Sequence, residues 1–461
     1  MAPTPSAPEV TPSGSPRTPP ADRTRLLPQV SGRHHALDGV RALACLMVLV
    51  VHVSTETGDA LAPGPVGALL SSSALAVPLF FALSGVLLYR PWARAALDGT
   101  RGPHTGAYLW RRLMRVFPSY WVVAVVALFL YAGEHLSSAR HWFEVLTLTF
   151  PFNTAPHWAG PGPEGLGQMW SLSVEIAFYV TLPLLAVFLG LWAKGGRTVD
   201  ARGRRLLGGL VAVTVLAYLA LIPQYYPEPR ELMHSWLPRC MGMFAVGMAL
   251  ATLSEWAWRE SGPDGPVRRF CRTVGTAPGL CWTVAAAFYV LEATPAAGGR
   301  FFEPGNLWMS IVESTASIGF AFFVVAPVAL APPAPEGPRR RLRSLATWTE
   351  GAWLDGLMRH PVMVYFAPIS YGVFLWQFVV LYLWRDFTGQ EIFTGSFWLD
   401  LVPVLIGSVL LGKLTHHLVE EPSRRWSREF FTSGTRAGRG RMRHGGDARD
   451  PQPPAQDRSR D

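Results

Sequence analysis

The amino-acid sequence predicts an all-α polytopic membrane protein with about ten transmembrane helices and both termini in the cytoplasm. Hydrophobic residues make up 49% of the 461 residues and charged residues only 16%, whereas a soluble domain has about a quarter of its residues charged. Apolar runs recur along the chain, and arginines gather in alternate connections between them.

Each apolar run approaches the roughly 20 residues that a helix needs to cross the hydrocarbon core. The predicted spans are, in order, 36–56, 67–89, 117–133, 169–193, 206–223, 236–256, 274–293, 306–331, 362–384 and 398–418.

The arginines predict the orientation of these spans, because short cytoplasmic loops retain Lys and Arg. Arg94 and Arg101 follow span two, and Arg204 and Arg205 follow span four. The connections after odd-numbered spans hold few basic residues. Both termini are therefore predicted to be cytoplasmic, and the pI near 9.7 reflects this topology rather than nucleic-acid binding.

Polar tails are predicted at both ends of a membrane domain of residues 34–422. Residues 1–33 are rich in Pro, Ser and Thr, and residues 423–461 are basic and Gly-rich, so both are predicted to be disordered. The four cysteines form no CxxC pair and have no histidine at metal-ligand spacing, so neither a disulfide framework nor a metal site is predicted.

The first predicted span, "LDGVRALACLMVLVVH", contains three ionisable residues: Asp38, Arg41 and His52. Arg41 and His52 are about three helical turns apart, roughly 16 Å along the axis, and share one helix face. Arg41 would lie toward the cytoplasm, where a snorkelling anchor is the alternative, and His52 toward the outer leaflet, where a helix-packing role is the alternative. Asp38 would pair with Arg41 or cap the helix.

The stretch "YLWRRLMRVFPSYW" precedes span three on the cytoplasmic side. Arg112 and Arg115 stand at i and i+3 on a predicted short helix, so both guanidiniums can face one anion, and guanidinium forks suit phosphate oxygens. The alternative for each arginine is a topological anchor.

The stretch "GQMWSLSVEIAFY" opens span four at the outer face. Ser171 and Glu175 are four residues apart and share one helix face, and Glu175 is predicted to lie one to two turns into the membrane. An unpaired carboxylate there costs several kcal/mol, so we expect Glu175 to be protonated or paired. His52, at a similar predicted depth, is the expected partner.

Two further stretches place polar residues inside spans. "FFALSGVLLYR" contains Ser84 beside Gly85, a pair of small residues typical of close helix packing. "SYGVFLWQ" contains Tyr371 and Gln377, for which interhelical hydrogen bonding is the simplest interpretation. No GxSxG, HExxH, Walker or GxGxxG motif occurs in a suitable context.

The ordered motifs resemble those of the acyltransferase 3 family of integral-membrane acyltransferases. Over about residues 36 to 426 they follow the family's order: Arg41 with His52, "FFALSGVLL", "RRLMRVFPSYW", "WSLSVEIAFY", "SYGVFLWQ" and "LVEEPSRRW". Gln377 departs from the histidine that the family commonly has there, and an amide at this position can hydrogen-bond but does not titrate.

The resemblance implies transfer of an acyl group, often acetyl, from cytoplasmic acyl-CoA to a hydroxyl of a sugar, glycan, lipid or secondary metabolite. It implies a multi-pass plasma-membrane protein without a permanently bound cofactor. On this basis His52 is the predicted general base, with Glu175 orienting it and Ser84, Ser171, Tyr371 and Gln377 in support. Arg41, Arg112 and Arg115 are the predicted donor-binding residues. Transient acylation of His52 is equally consistent with the sequence.

Two other classes of function remain open at this point. A transporter or flippase of a glycan or lipid would use the polar spans as its path. A non-catalytic membrane partner would leave the ordered Arg, His and Glu positions unexplained.

Overall fold

The computed structural model describes residues 27–32, 34–158, 160–262, 264–298, 305–333, 356–427 and 429. Within these residues the chain is helical and forms no β-strand, as expected where lipid leaves backbone groups without water partners. The long helices are α1 (His35–Glu56), α2 (Ala76–Asp98), α3 (Thr105–Tyr131), α4 (Trp170–Lys194), α5 (Val199–Leu219), α6 (Leu237–Arg259), α7 (Pro266–Thr276), α8 (Pro278–Glu292), α9 (Leu307–Ala329), α10 (Pro361–Thr388) and α11 (Phe397–Thr415).

The described part of the chain contains nine helices long and apolar enough to span a membrane, or ten if α7 and α8, which meet at 77°, form one span. The chain is therefore a polytopic all-α membrane protein. Lipid-facing surface is visible on α4, where Leu184, Phe188 and Leu191 recur at helical spacing and are 74%, 66% and 60% exposed.

The predicted short helix before span three is wrong. The arginines instead stand in the first half of α3, a continuous helix of 27 residues with Pro118 inside it. A proline in a membrane helix is tolerated where neighbouring helices pack around the freed carbonyl. Arg112 and Arg115 thus belong to a transmembrane helix rather than to a surface segment.

Small residues bring α2 and α6 together, as predicted for the Ser84–Gly85 pair. A Cβ atom added to Gly85 would lie 3.0 Å from the Gly247 Cα and closer still to the Phe244 carbonyl oxygen. The two backbones touch at this crossing, in the manner of small-residue interfaces in membranes.

Helices α1 and α10 run side by side in the same direction. The Cys45 thiol donates to the Ser370 carbonyl at 3.3 Å, and at the far end Arg385 pairs with Glu56 at 2.6 Å. Two odd-numbered spans are expected to be parallel. This pairing carries the polar residues of "SYGVFLWQ" to the helix that bears Arg41 and His52.

Part of each predicted tail lies within the described residues. Residues 27–32 lie on the bundle, where Trp258 Nε1 donates to the Pro28 carbonyl at 2.8 Å. After α11 the chain continues through a π-helical turn, His416–Glu420, and stays helical to Ser427. The remaining residues of both predicted tails lie outside the described residues.

Candidate active site

Three arginines from two helices meet in the bundle. The charge of Arg115 acts on both Arg41 and Arg112, and the charge of Glu175 acts on these two arginines as well. Arg41 pairs with Asp38 at 3.7 Å, one of the two alternatives expected for that carboxylate. The spacing of residues in the sequence predicted which face of its helix each arginine occupies. The packing of the helices in the bundle brings the three side chains together.

Arg112 and Arg115 have no ion pair or side-chain hydrogen bond among the described residues. Both side chains are half-buried, whereas the neighbouring Arg111 is exposed. Two half-buried guanidiniums without protein partners retain their hydrogen-bond donors for an anion.

Glu175 binds two hydroxyls instead of the imidazole. Its Oε1 accepts hydrogen bonds from Ser84 Oγ at 2.6 Å and from Tyr179 OH at 2.7 Å. The predicted pairing of Glu175 with His52 is therefore wrong. The rotation of α4 turns the carboxylate toward α2 and the arginines, and sequence depth alone did not specify that rotation.

His52 lies in an aromatic and amide environment. Its ring centroid is 4.5 Å from that of Phe378, and the Gln377 side chain lies close enough to act on the imidazole. His52 Nδ1 is buried and makes no hydrogen bond to any described residue. Gln377 therefore faces the predicted base directly, where the sequence had indicated only an interhelical hydrogen bond without naming its partner.

The residues predicted to support the site, Tyr371 and Ser171, form hydrogen bonds in different parts of the bundle. Tyr371 OH donates to the Val116 carbonyl at 2.9 Å, which ties α10 to α3 beside Arg115. Ser171 Oγ donates to the Gln168 carbonyl at 3.0 Å, so its predicted role beside Glu175 is not seen. Ser171 instead supports the backbone of Gln168.

A histidine–carboxylate pair in the π-helical turn was not predicted from the sequence. His416 Nδ1 lies 3.0 Å from Glu420 Oε2, and Glu420 is only 2% exposed. The charges of Glu420 and Glu175 both act on Tyr371, so the pair lies near the arginine side of the bundle. Its four-residue spacing in "HHLVEEP" was a readable signal.

The site has two separate regions, which we call poles: the arginine pole, formed by Arg41, Arg112 and Arg115, and a second pole at His52. Arg41 and His52 are separated by about three turns of α1, roughly 16 Å. The arginine pole offers the guanidiniums of Arg112 and Arg115 and a carboxylate held by hydroxyls. The other pole offers the imidazole of His52, which has no carboxylate partner in the described part of the chain. A ligand with an anionic end and a reactive end can occupy both.

Comparison with known proteins finds matches over most of this chain. A family model described as an acyltransferase domain matches residues 34–416. The chain is 24% identical over 410 residues to the putative peptidoglycan O-acetyltransferase YrhL of Bacillus subtilis and 23% identical over 408 residues to the peptidoglycan O-acetyltransferase OatA of Listeria monocytogenes. Both alignments cover 85% of this chain and 56% of the relative.

A shorter match is Nodulation protein 10 of Rhizobium leguminosarum, 28% identical over 191 residues, which are 37% of this chain and 49% of that protein. The chain thus spans about half the length of the curated relatives it matches. No solved structure matches it.

Proposed function

We propose that the chain, which belongs to the acyltransferase 3 family, is an O-acyltransferase that transfers an acetyl or other short acyl group from acyl-CoA. The acceptor is a hydroxyl of a glycan, lipid or natural product. The names of the two long relatives favour an envelope sugar such as peptidoglycan. The enzyme works as a multi-pass protein of the plasma membrane, with acyl-CoA as a substrate and no resident cofactor.

The assignment of acyl-CoA as the acyl donor rests on one observation, the excess of positive charge at the arginine pole. Arg41, Arg112 and Arg115 face two carboxylates, those of Asp38 and Glu175, which leaves a net positive charge. The nearby Glu420 does not cancel it, because that carboxylate is already paired with His416 and Arg424. A guanidinium matches phosphate oxygens with two parallel hydrogen bonds. The phosphates of coenzyme A fit this pole, and the pantetheine arm extends the thioester toward His52.

His52 acts as the general base in this proposal. Its ring accepts the proton of the acceptor hydroxyl while the hydroxyl oxygen attacks the thioester carbonyl. The new C–O bond forms, the C–S bond breaks, and His52 returns the proton to the coenzyme A thiolate. Proton transfer of this kind typically contributes about 10²–10⁴ to the rate.

A double-displacement route uses the same geometry. In that route a ring nitrogen of His52 attacks the thioester carbonyl, the C–S bond breaks, and coenzyme A leaves as the thiol with the proton from the ring. The acceptor hydroxyl then attacks the acyl-imidazole, the C–N bond breaks, and the hydroxyl proton returns to the ring. Quenching a single turnover of radiolabelled acetyl-CoA in cold, neutral SDS distinguishes the routes, because only double displacement leaves label on the protein and an acyl-imidazole is less labile there than in acid.

Glu175 is assigned a positioning role at the arginine pole. Ser84 and Tyr179 fix its carboxylate, whose negative charge partly neutralises the mutual repulsion of the guanidiniums. This role replaces the orientation of His52 that the sequence had indicated.

The test is coenzyme A release from acetyl-CoA in membranes that contain the protein, together with detection of an O-acetylated product. We expect His52→Ala to lower the rate by at least about 10²-fold at unchanged expression and thermal stability. His417→Ala is the matched control, because the His417 side chain is 56% exposed. Full activity of His52→Ala would exclude both routes, and translocation without coenzyme A release would support a transporter.

A further inference from the structure

A cavity of about 520 Å³ lies between the start of α5, the end of α6 and the start of α7. Its walls are apolar and are formed by Leu207 of α5, Leu253 of α6, and Val267 and Phe270 of α7. The volume falls within the roughly 300–1,000 Å³ of small-molecule sites in proteins. No residue of the arginine pole or of the His52 pole lines this cavity, so it is a separate feature of the molecule.

Helix α7 lies across its neighbour rather than along it. It meets α8 at 77°, and a helix at that angle to a membrane-crossing neighbour runs close to the membrane plane. Val267 and Cys271, four residues apart, are buried against the bundle, while Arg269 and Phe270 are exposed. An amphipathic helix with basic and aromatic residues is typical of the headgroup region of a bilayer. The cavity therefore lies at the membrane surface, on the side that the arginines predict to be cytoplasmic.

The cavity continues into the lipid-facing surface of α5. Leu207, Val211 and Val215 follow one another at four-residue spacing on one helix face, and Val211 and Val215 are 63% and 52% exposed. Arg204 precedes Leu207 by three residues, nearer the helix start, and also lines the cavity. A lipid chain that lies along this face would reach the cavity with its polar end at Arg204.

The acidic residues of the cavity are already bound by donors within the protein. Asp200 accepts hydrogen bonds from Trp256 Nε1 at 2.7 Å and from Ser261 Oγ at 2.8 Å. Glu260 accepts from two backbone nitrogens at the start of α7, at 3.0 and 2.9 Å, and so caps that helix. Both carboxylates thus hold the ends of the three helices together.

Two arginines at the mouth of the cavity lack such partners. Arg204 and Arg269 are exposed, and neither makes an ion pair or hydrogen bond with any described residue, although the charge of Arg204 acts on Asp200. Arg269 stands three residues after Pro266, which lines the cavity. With Arg268, which donates to backbone carbonyls, they exceed the two carboxylates by one positive charge. The mouth therefore offers guanidiniums to an anion, beside an apolar interior.

We propose that this cavity binds an anionic phospholipid, with an acyl chain against Leu207, Leu253 and Phe270 and the phosphate at Arg204 and Arg269. A phospholipid joins the two chemistries that the cavity presents. A free phosphate ester leaves the apolar walls uncovered, and a choline headgroup brings a further positive charge to the arginines. The proposal does not depend on acyl transfer.

The test is native mass spectrometry of the delipidated full chain, titrated in detergent with palmitoyl-oleoyl phosphatidylglycerol or with the corresponding phosphatidylcholine. We expect phosphatidylglycerol to bind more tightly, by about fivefold for each arginine that its phosphate engages. Equal affinity for the two lipids would overturn the proposal. Displacement of phosphatidylglycerol by an equal concentration of glycerol phosphate would assign the site to a free anion and would overturn it as well.

Arg204→Gln removes one charge at the mouth. It is expected to lower the affinity for phosphatidylglycerol about fivefold and to leave that for phosphatidylcholine unchanged. The matched control is Arg111→Gln, because Arg111 is an exposed arginine on α3, away from the cavity. Equal effects of the two substitutions would contradict a phosphate site at Arg204.

Leu207→Trp fills the cavity with an indole ring. We expect it to abolish binding of phosphatidylglycerol without lowering the temperature of unfolding, because the ring occupies empty volume. Leu216→Trp is the control, because Leu216 lies on the opposite face of α5 and is 63% exposed. Equal lipid binding by the two variants would show that the lipid only surrounds the helices, which overturns the proposal. If Leu207→Trp fails to fold, Arg204→Gln still decides the question, because its side chain is exposed.

Discussion

Replacement of Gly85 by alanine tests whether the α2–α6 crossing positions the site. The added Cβ would lie 3.0 Å from both the Gly247 Cα and the Met248 nitrogen, and closer still to the Phe244 carbonyl oxygen. These neighbours are backbone atoms, so no side chain can rotate away. The two helices must separate, and overpacking of this kind costs about 1–3 kcal/mol.

Separation of the helices also reaches the arginine pole. Ser84, the residue before Gly85, donates the 2.6 Å hydrogen bond to Glu175. A hydrogen bond to a charged group contributes about 1.5–3 kcal/mol, so its loss adds to the packing cost. We therefore expect Gly85→Ala to lower both the free energy of unfolding and the affinity for acetyl-CoA.

The assay is unfolding in mixed micelles, with Gly208→Ala as the matched control. Gly208 stands inside α5, and a Cβ added there meets nothing within 4 Å. Alanine is the better helix former by about 0.5–1 kcal/mol, so the control is expected to be slightly more stable than the wild type. Equal stability of Gly85→Ala and Gly208→Ala would refute the close-packing argument.

Two further predictions concern donor binding and pH. Arg112→Ala should raise the KM for acetyl-CoA by roughly 10- to 150-fold, which is the effect of losing one hydrogen bond from a charged group. Arg111→Ala is the control and should leave the KM unchanged, because Arg111 is exposed. Equal effects of the two substitutions would argue against a donor site at Arg112. Burial lowers the pKa of His34 from 6.5 to about 4, and the positive charge of Arg90 is the second largest contribution to this shift. The unfolded chain thus binds a proton below pH 6.5 that the folded chain excludes, so stability should fall by on the order of 2 kcal/mol between pH 6.5 and 4. Unfolding of His34→Gln at both pH values should show a smaller loss, and an unchanged loss would exclude His34 as its source.

Spacing along the sequence was sufficient to predict interactions between residues of the same helix. Asp38 and Arg41 are three residues apart and form an ion pair, one of the two alternatives that the sequence left open for Asp38. Ten predicted spans correspond to nine candidate spans plus the bent pair α7–α8 within the described residues. These features depend on helical periodicity and hydropathy, which the sequence carries directly.

Contacts between helices were less predictable, because they depend on how each helix is rotated in the bundle. Glu175 was predicted to lie near His52 because the two residues have similar predicted depths in the membrane. Its hydrogen-bond partners are instead hydroxyls on α2 and on its own helix. Gln168 was not singled out from the sequence, yet its Nε2 donates to the Phe374 and Leu375 carbonyl oxygens of α10. Such a contact becomes visible only when the neighbours of the side chain are known.

The placement of Arg41 and His52 on one uninterrupted helix makes α1 a molecular ruler. On the proposed mechanism, the roughly 16 Å between them measures the donor from its phosphates to its thioester. A small acyl donor such as acetyl phosphate could occupy either pole but could not connect them. The enzyme would therefore select coenzyme A thioesters by length as well as by charge, and a kink introduced between these residues would change that selection without altering either group.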